Sequence, residues 1–216
     1  MLAFAGYDWF VRANEVPAGP GPNRFSDSPD NVYVDAQGQL HLRITERNGR
    51  WYCAEVICAQ SFGYGRYLFY LASAVDQLHE NVVAGLFTWH DAPVEHHREI
   101  DIEFSRWGNR AYANAHFVVQ PWQRHGRQHS FQLRLNGTYS THSFEWRPQG
   151  VYFRSVHDHY AQPPSASYHI AAWSYSGDEL PTPGGEHVRI NLWIYDADRL
   201  PSEAELVVKH FEFLPL

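Results

Sequence analysis

The chain has 216 residues, 44% of them hydrophobic and 16% aromatic, with a formal net charge of −7. That length and apolar content suit one sizeable packed domain and exclude a disordered chain. Lys209 is the single lysine among 17 basic residues, no basic stripe occurs and no apolar run could span a bilayer, so nucleic-acid and membrane partners are not expected.

The first 30 residues are punctuated by "VPAGPGPN" and "SDSPDN", which read as loops. "NVYVD", a turn at "AQGQ" and "LHLRITER" then read as a hairpin. Period-two runs follow: "RWYCAEVICAQ", "GRYLFYLASA", "NVVAGLFTWH", "REIDIEFS", "AYANAHFVVQPW", "HSFQLRL", "HSFEWRPQGVYFRSVH", "ASYHIAAWS", "HVRINLWIYDA" and "AELVVKHFEFL". Each is bounded by Gly, Pro, Asn, Asp or Ser. No window carries a helical stripe; "PSEAEL" could start a short helical turn. Roughly a dozen strands without helices predict an all-β fold, two antiparallel sheets packed face to face as a jelly roll. Neither a repeat nor an interdomain linker is visible, so a single domain over residues 1–216 is expected.

Cys53 and Cys58 in one extended strand would lie roughly 16 Å apart, too far for a disulfide. They read as free thiols, which favours a reducing compartment. The opening "MLAFAGYDWF" lacks the basic-then-apolar order of a signal peptide.

The segment "HREIDIEFSRWGN" carries the chemistry. In a strand, successive side chains face opposite ways, so Glu99, Asp101 and Glu103 share one face while Ile100, Ile102 and Phe104 share the other. Two charges about 5.5 Å apart repel by roughly 3 kcal/mol at an effective dielectric near 20, which is about two pKa units. At least one acid should therefore stay protonated near neutral pH. One ionised and one protonated carboxylate are the equipment of retaining glycoside hydrolysis. Residues 99 and 103 have Cα atoms about 13 Å apart in an extended strand, so their side chains must lean together to form such a pair. The competing reading is the polar face of an ordinary amphipathic strand. It must explain why no cation interleaves the acids, since Arg98 points to the opposite face.

"EIDIEF" resembles the active-site signature of glycoside hydrolase family 16. "NVYVDAQGQLHLRI", "CAEVICAQSFGYGRY", "NVVAGLFTWH", "FEWRPQGVYF" and "INLW" resemble further segments of that family in the same order, from about Asn31 to Phe213. The resemblance implies a β-jelly roll with a concave, open cleft and endo-acting hydrolysis of β-glucan with retention. By position, Glu99 would be the nucleophile, Glu103 the general acid/base, and Asp101 the residue that tunes and orients them. The unbulged E-x-D-x-E form is similar to the lichenases, which cut mixed-linkage β-glucan, and to the xyloglucan transglycosylases. The same resemblance implies substrate contacts from Glu55, from the aromatic pair Phe87 and Trp89, from His116, and from Asn191 and Trp193. Trp107 is a further candidate at the cleft edge. The five residues 55, 87, 89, 191 and 193 are all odd-numbered, which carries no information until the register between strands is known.

The chain departs from lichenases at several points. Cys53 has no upstream cysteine partner in "NRFS", Ile57 stands where an arginine is frequent, and "EHHR" replaces a Trp before the signature. The calcium-site Asp corresponds to Val207, so a structural calcium is not supported and no cofactor is expected. The family is secreted or periplasmic, which leaves the compartment open here; a monomer acting on a polysaccharide is expected.

Other constellations are weaker. Glu95, His96, His97 and Glu99, or "HDH" at 157–159, could suggest a metal, but a cupin-like barrel needs another His and an acid at suitable spacing, and none is seen. "GPGPN" is no phosphate loop, and no Ser or Cys sits in a nucleophile elbow. "FGYG" reads as a turn with packed aromatics. Transglycosylation on the same residues and a non-catalytic glycan-binding sandwich remain the alternatives.

Overall fold

The computed structural model describes residues 1–196, 200 and 202–216. In chain order the strands are β1 (Leu2–Phe4), β2 (Tyr7–Val11), β3 (Val32–Val34), β4 (Leu40–Arg47), β5 (Arg50–Tyr52), β6 (Ala54–Cys58), β7 (Gly65–Leu71) and β8 (Val82–Trp89). They continue with β9 (Ile100–Phe104), β10 (Ala115–Val119), β11 (Gln128–Phe131), β12 (Ser140–Arg147), β13 (Gly150–His157), β14 (His169–Tyr175), β15 (His187–Ile194) and β16 (Ala204–Pro215). Three short 3₁₀ turns are the only helical elements among the described residues. The first sheet runs β1-β2-β6-β15-β8-β9-β10-β11 and the second β14-β13-β12-β7-β16-β4-β3, with β5 paired to β4. Every strand pair is antiparallel, as a jelly roll requires.

The period-two alternation explains the packing. Inward residues of both sheets form one continuous core cluster. Trp9 of β2 meets Phe211 of β16 edge-on at 5.6 Å, and Phe117 of β10 stacks on Phe153 of β13 at 5.0 Å. Each such side chain contributes about 1.5–3 kcal/mol when buried. Most of the aromatic surplus is therefore core: Phe25, Tyr67, Phe69, Phe104, Phe144 and Trp146 are also fully buried. The "FGYG" turn belongs to it. Gly65 lies so close to Phe213 that a Cβ there would sit 2.4 Å from the ring, and Tyr67 donates its hydroxyl to Gly63 O.

Three expectations need correction. The sequence predicts no strand before Asn31, yet β1 and β2 form a hairpin through a left-handed Ala5-Gly6 turn (φ 53° and 83°), held by Phe4 and Trp9 on its inward face. "RWYCAEVICAQ" is not one strand. It breaks at Cys53, whose N–H donates to Arg24 O, so β5 joins β4 while β6 joins the other sheet. The helical turn at "PSEAEL" does not form over 202–206, because Ala204, Glu205 and Leu206 already pair with β4, and so short a helix has nothing to offset its nucleation cost; Pro201 lies outside the described residues. Cys53 and Cys58 are free and buried, and burial pushes their thiols up to about 12 and about 11, so both are poor nucleophiles.

Candidate active site

The strand register settles which residues share a face. Glu103 of β9 lies opposite Gly85 of β8, Gly85 opposite Asn191 of β15, and Asn191 opposite Glu55 of β6. One step along the strands, Asp101 lies opposite Phe87, Phe87 opposite Arg189, and Arg189 opposite Ile57. Residues directly opposite project from the same face. The odd-numbered candidates thus converge on the face of the first sheet that turns away from the core. They line a cleft of about 700 Å³, whose walls include Arg12, Glu55, Phe87, Trp89, Asp91, Glu99, Asp101, Glu103, Arg189, Asn191 and Trp193.

The three acids lie in this cleft together. Asp101 is buried, while Glu99 and Glu103 keep part of their side chains open. Burial is the largest cause raising all three carboxyl groups, ahead of the mutual repulsion expected from sequence. Glu99 is pushed up to about 8 by burial and the charge of Glu103, while a hydrogen bond from Asp101 and the charge of Arg189 pull it back. Asp101 and Glu103 are both held well above the usual carboxylate range, Asp101 next to the charge of Glu99 and Glu103 next to that of Asp101. The bond between Asp101 and Glu99 favours the anion on Glu99 and the proton on Asp101. Gln120 Nε2 donates to Asp101 Oδ2 at 3.1 Å. Among the described residues no ion pair reaches these acids. Arg98 instead donates to Thr182 O and lies 3.8 Å from Glu95.

Glu55 is only 1% exposed and is held by Arg12 Nη1 at 2.9 Å and Arg189 Nη1 at 3.1 Å. Arg189 reaches on to Asp91 at 2.5 Å. A chain of alternating charges therefore runs along the cleft wall, with Glu55 as its centre. Asn191 Oδ1 and Arg189 Nε are buried without a protein partner, as suits groups that meet a ligand hydroxyl. Gly85 makes room for Asn191: a Cβ there would come 2.6 Å from Asn191 Oδ1.

The aromatic candidates divide. Phe87 is in the floor. Trp89 lines the cleft, but His97 stacks on its ring at 3.8 Å and the Arg189 guanidinium lies 5.8 Å from the ring centroid. Trp193 is joined by Trp107 at 6.0 Å, and Trp107 by Tyr195 at 5.8 Å, at the Glu103 end. His116 lies opposite Glu103 in register, yet it is buried, with Nε2 on Ser105 O and Nδ1 on Ser130 Oγ. Burial lowers its pKa and keeps it neutral. It supports the Ser105–Trp107 segment rather than the cleft surface.

The chain reaches Glu99 through an unusual turn. Glu95, His96, His97 and Arg98 all have left-handed φ, at 49°, 52°, 63° and 53°. Such a conformation costs roughly 1–2 kcal/mol per non-glycine residue. It is held by Thr182 N and Oγ1 donating to Glu95, by Thr88 Oγ1 donating to Arg98 O at 2.8 Å, and by His90 N donating to His97 O at 2.7 Å. Glu95 and His97 are thus spent on structure, not on a metal. The His157–His159 alternation also fails, because Asp158 is left-handed (φ 59°) and breaks the strand.

Sequence reasoning missed Arg12, Asp91, Gln120, Arg189 and Tyr195. Arg189 had a signal, since it alternates in phase with Asn191 and Trp193; Arg12 lies in an opening stretch to which the sequence pattern assigns no strand.

No protein-family model matches the chain, and no curated protein matches it. Solved structures do. The β-glucanase of Bacillus licheniformis superposes with a TM-score of 0.70 at 18% identity, covering 95% of this chain and 91% of that one. A β-1,3-1,4-glucanase (lichenase) derived from a mouse hindgut metagenome gives 0.70 at 19% identity, covering 99% and 97%. An immunostimulatory antigen and pseudo β-1,3-glucanase of Mycobacterium tuberculosis gives 0.71 at 18% identity, covering 96% and 91%. At these identities the likeness is one of fold, and it extends over nearly the whole chain.

Proposed function

We propose that residues 1–216 form a single catalytic domain, a retaining endo-β-glucanase of the glycoside hydrolase family 16 type. The observation that carries this reading is the trio Glu99, Asp101 and Glu103: three acids on one strand face, with raised pKa values and no ion-pair partner, inside a cleft of about 700 Å³. A purely structural strand gains nothing from such a cluster, because it destabilises the fold as the groups ionise. The activities named for the Bacillus licheniformis and mouse-hindgut enzymes agree with it.

In the proposed reaction, ionised Glu99 attacks the anomeric carbon. The glycosidic C–O bond breaks as Glu103 delivers its proton to the leaving oxygen. Water then attacks the anomeric carbon and releases Glu99, while Glu103, now a carboxylate, takes the water's proton. Protonated Asp101 donates to Glu99 and holds it in orientation. Arg12, Glu55, Arg189 and Asp91 largely neutralise one another, so the uncompensated charge in the cleft is that of the acids. This suits a neutral glucan and opposes a polyanionic one.

Release of reducing ends from lichenan, laminarin and xyloglucan tests the reading, with Glu99→Gln and Glu103→Gln as controls. Both variants should lose at least about a thousandfold in rate while keeping the fold. Near-wild-type hydrolysis by either variant refutes the assignment, and products longer than the substrate mark transfer to sugar instead of water. A non-catalytic glycan binder is the second reading, favoured by the pseudo β-1,3-glucanase among the fold neighbours. It predicts binding of β-glucan by the wild-type protein with no turnover.

A further inference from the structure

The register carries the cleft floor beyond the residues that wall it. Phe10 of β2 lies opposite Ile57, which lies opposite Arg189, then Phe87, then Asp101. Phe10 therefore projects from the same face as the acids. Its neighbour Trp9 points the other way and is fully buried against Phe4 and Phe211. Phe10 is 52% exposed, whereas its same-face neighbour Arg12 already lines the cleft. Four strand spacings put Phe10 about 19 Å from Asp101.

The rows on either side differ from this one. One holds Asn191, Glu55 and then Arg12, whose N–H donates to Glu55 O. The other holds Trp89, His187, Ala59 and then Asp8, whose carbonyl accepts from Ala59 N. Two rims run along the strand ends: the 12–23 segment, tied down by Arg12 Nη2 to Gly19 O and by Asn23 Nδ2 to Ile194 O, and Asp91, tied to Arg189. Between them lie Phe87, then the Arg189 guanidinium, then the apolar pair Ile57 and Phe10, which leads out toward the sheet edge. A β-linked glucose ring has all its substituents equatorial, so it offers two flat C–H faces and a rim of hydroxyls. The apolar pair Ile57 and Phe10, with the polar groups of Arg189, Glu55 and Arg12 beside it, matches that shape. A galactose ring does not fit as well, because its axial hydroxyl interrupts one face.

We propose that Phe10 is a stacking platform for a distal glycosyl unit of a gluco-configured β-glycan, four strands from the acids and continuous with the cleft. This rests on the glucanase reading above. Calorimetric binding in a Glu103→Gln background, where the ligand is not consumed, tests it with Phe10→Ala and Phe10→Trp. A mixed-linkage β-gluco-hexasaccharide should bind the Phe10→Ala protein about three- to tenfold more weakly, with Phe10→Trp restoring affinity. A gluco-disaccharide, too short to reach from β9 to β2, should bind all three proteins alike. An unchanged hexasaccharide affinity overturns the platform and leaves the glucanase reading standing. Equal weakening for both ligands overturns it too, since Phe10 would then act through the fold. A Glu103→Gln parent that binds no β-glucan at all removes both proposals.

Discussion

Arg189 stands directly opposite Ile57 across the β15–β6 pair, and its guanidinium joins Glu55 to Asp91. In the lichenases that the sequence resembles, an arginine is frequent at the position of Ile57. Here a guanidinium reaches the cleft wall from the next strand instead. Arg189 also lies near enough to Glu99 for its charge to favour the anion. Replacing it with the uncharged Arg189→Met should lower kcat/KM on β-glucan about tenfold and move the acid limb of the pH profile upward. Glu55, 1% exposed, would keep only Arg12, so a stability loss of about 1–3 kcal/mol is expected. Unaltered kinetics with only a lower Tm would reduce Arg189 to a structural strut.

The wild-type pH profile carries its own test. In the proposed reaction the nucleophile acts as an anion, so kcat/KM should rise with pH as Glu99 ionises, and Glu99 is pushed up to about 8 from an ordinary 4.5. The rate should fall only when Glu103, held well above the ordinary range, loses its proton. A bell displaced to neutral or alkaline pH is expected. An acid limb at the ordinary carboxylate pKa would mean that the occupied cleft does not sustain these shifts, and the division of roles between Glu99 and Glu103 would need revision.

The same shifts set a stability prediction. A carboxyl whose pKa is higher in the folded than in the unfolded chain stabilises the fold fully at low pH. That contribution is lost as pH rises from the unfolded value through the folded one. Glu103 is such a group, raised by burial and by Asp101. Glu103→Gln, which cannot ionise, should match the wild-type Tm near pH 4 and exceed it near pH 9. Thermal melts at the two pH values decide it; an equal Tm difference at both would trace the effect to packing.

Alternation made most of this molecule legible. Period-two runs mark the strands, and within "HVRINLW" and "EIDIEF" they mark which residues share a face. What alternation cannot supply is the register between strands. Phe10, Ile57, Arg189, Phe87 and Asp101 lie in one line only because β2, β6, β15, β8 and β9 are neighbours, three of the four pairings joining strands that are not consecutive in the chain. The β1–β2 hairpin was hidden because its turn, Ala5-Gly6, is followed closely by Gly/Pro-rich segments that dominate the local signal. The left-handed run from Glu95 to Arg98 contains no glycine, so nothing local announces it; Thr88, His90 and Thr182 impose it from elsewhere. Glu55 is named only through the family resemblance, as a substrate contact; its burial and its two arginine partners, from β15 and from the segment after β2, were not legible.

Gly85 offers the sharpest steric test of the cleft. It separates Asn191 from Glu103 in the row across β15, β8 and β9, and it has an ordinary strand backbone that any residue tolerates. Gly85→Ala therefore strains nothing in the main chain. Its Cβ would meet Asn191 Oδ1 at 2.6 Å and Phe87 Cδ1 at 3.5 Å. Asn191 must turn away, and its amide then loses the long 3.5 Å approach to Glu55. Overpacking of this kind costs about 1–3 kcal/mol. The expected outcome is a folded protein with a Tm lowered by a few degrees and kcat/KM reduced at least tenfold, because Asn191 is displaced from the row it shares with Glu103, where the proposed reaction puts the scissile linkage. Gly85→Ser should be as damaging to the fold. Full activity in either variant would mean that the substrate does not pass between Asn191 and Glu103, and the path of the glycan across the sheet would have to be redrawn.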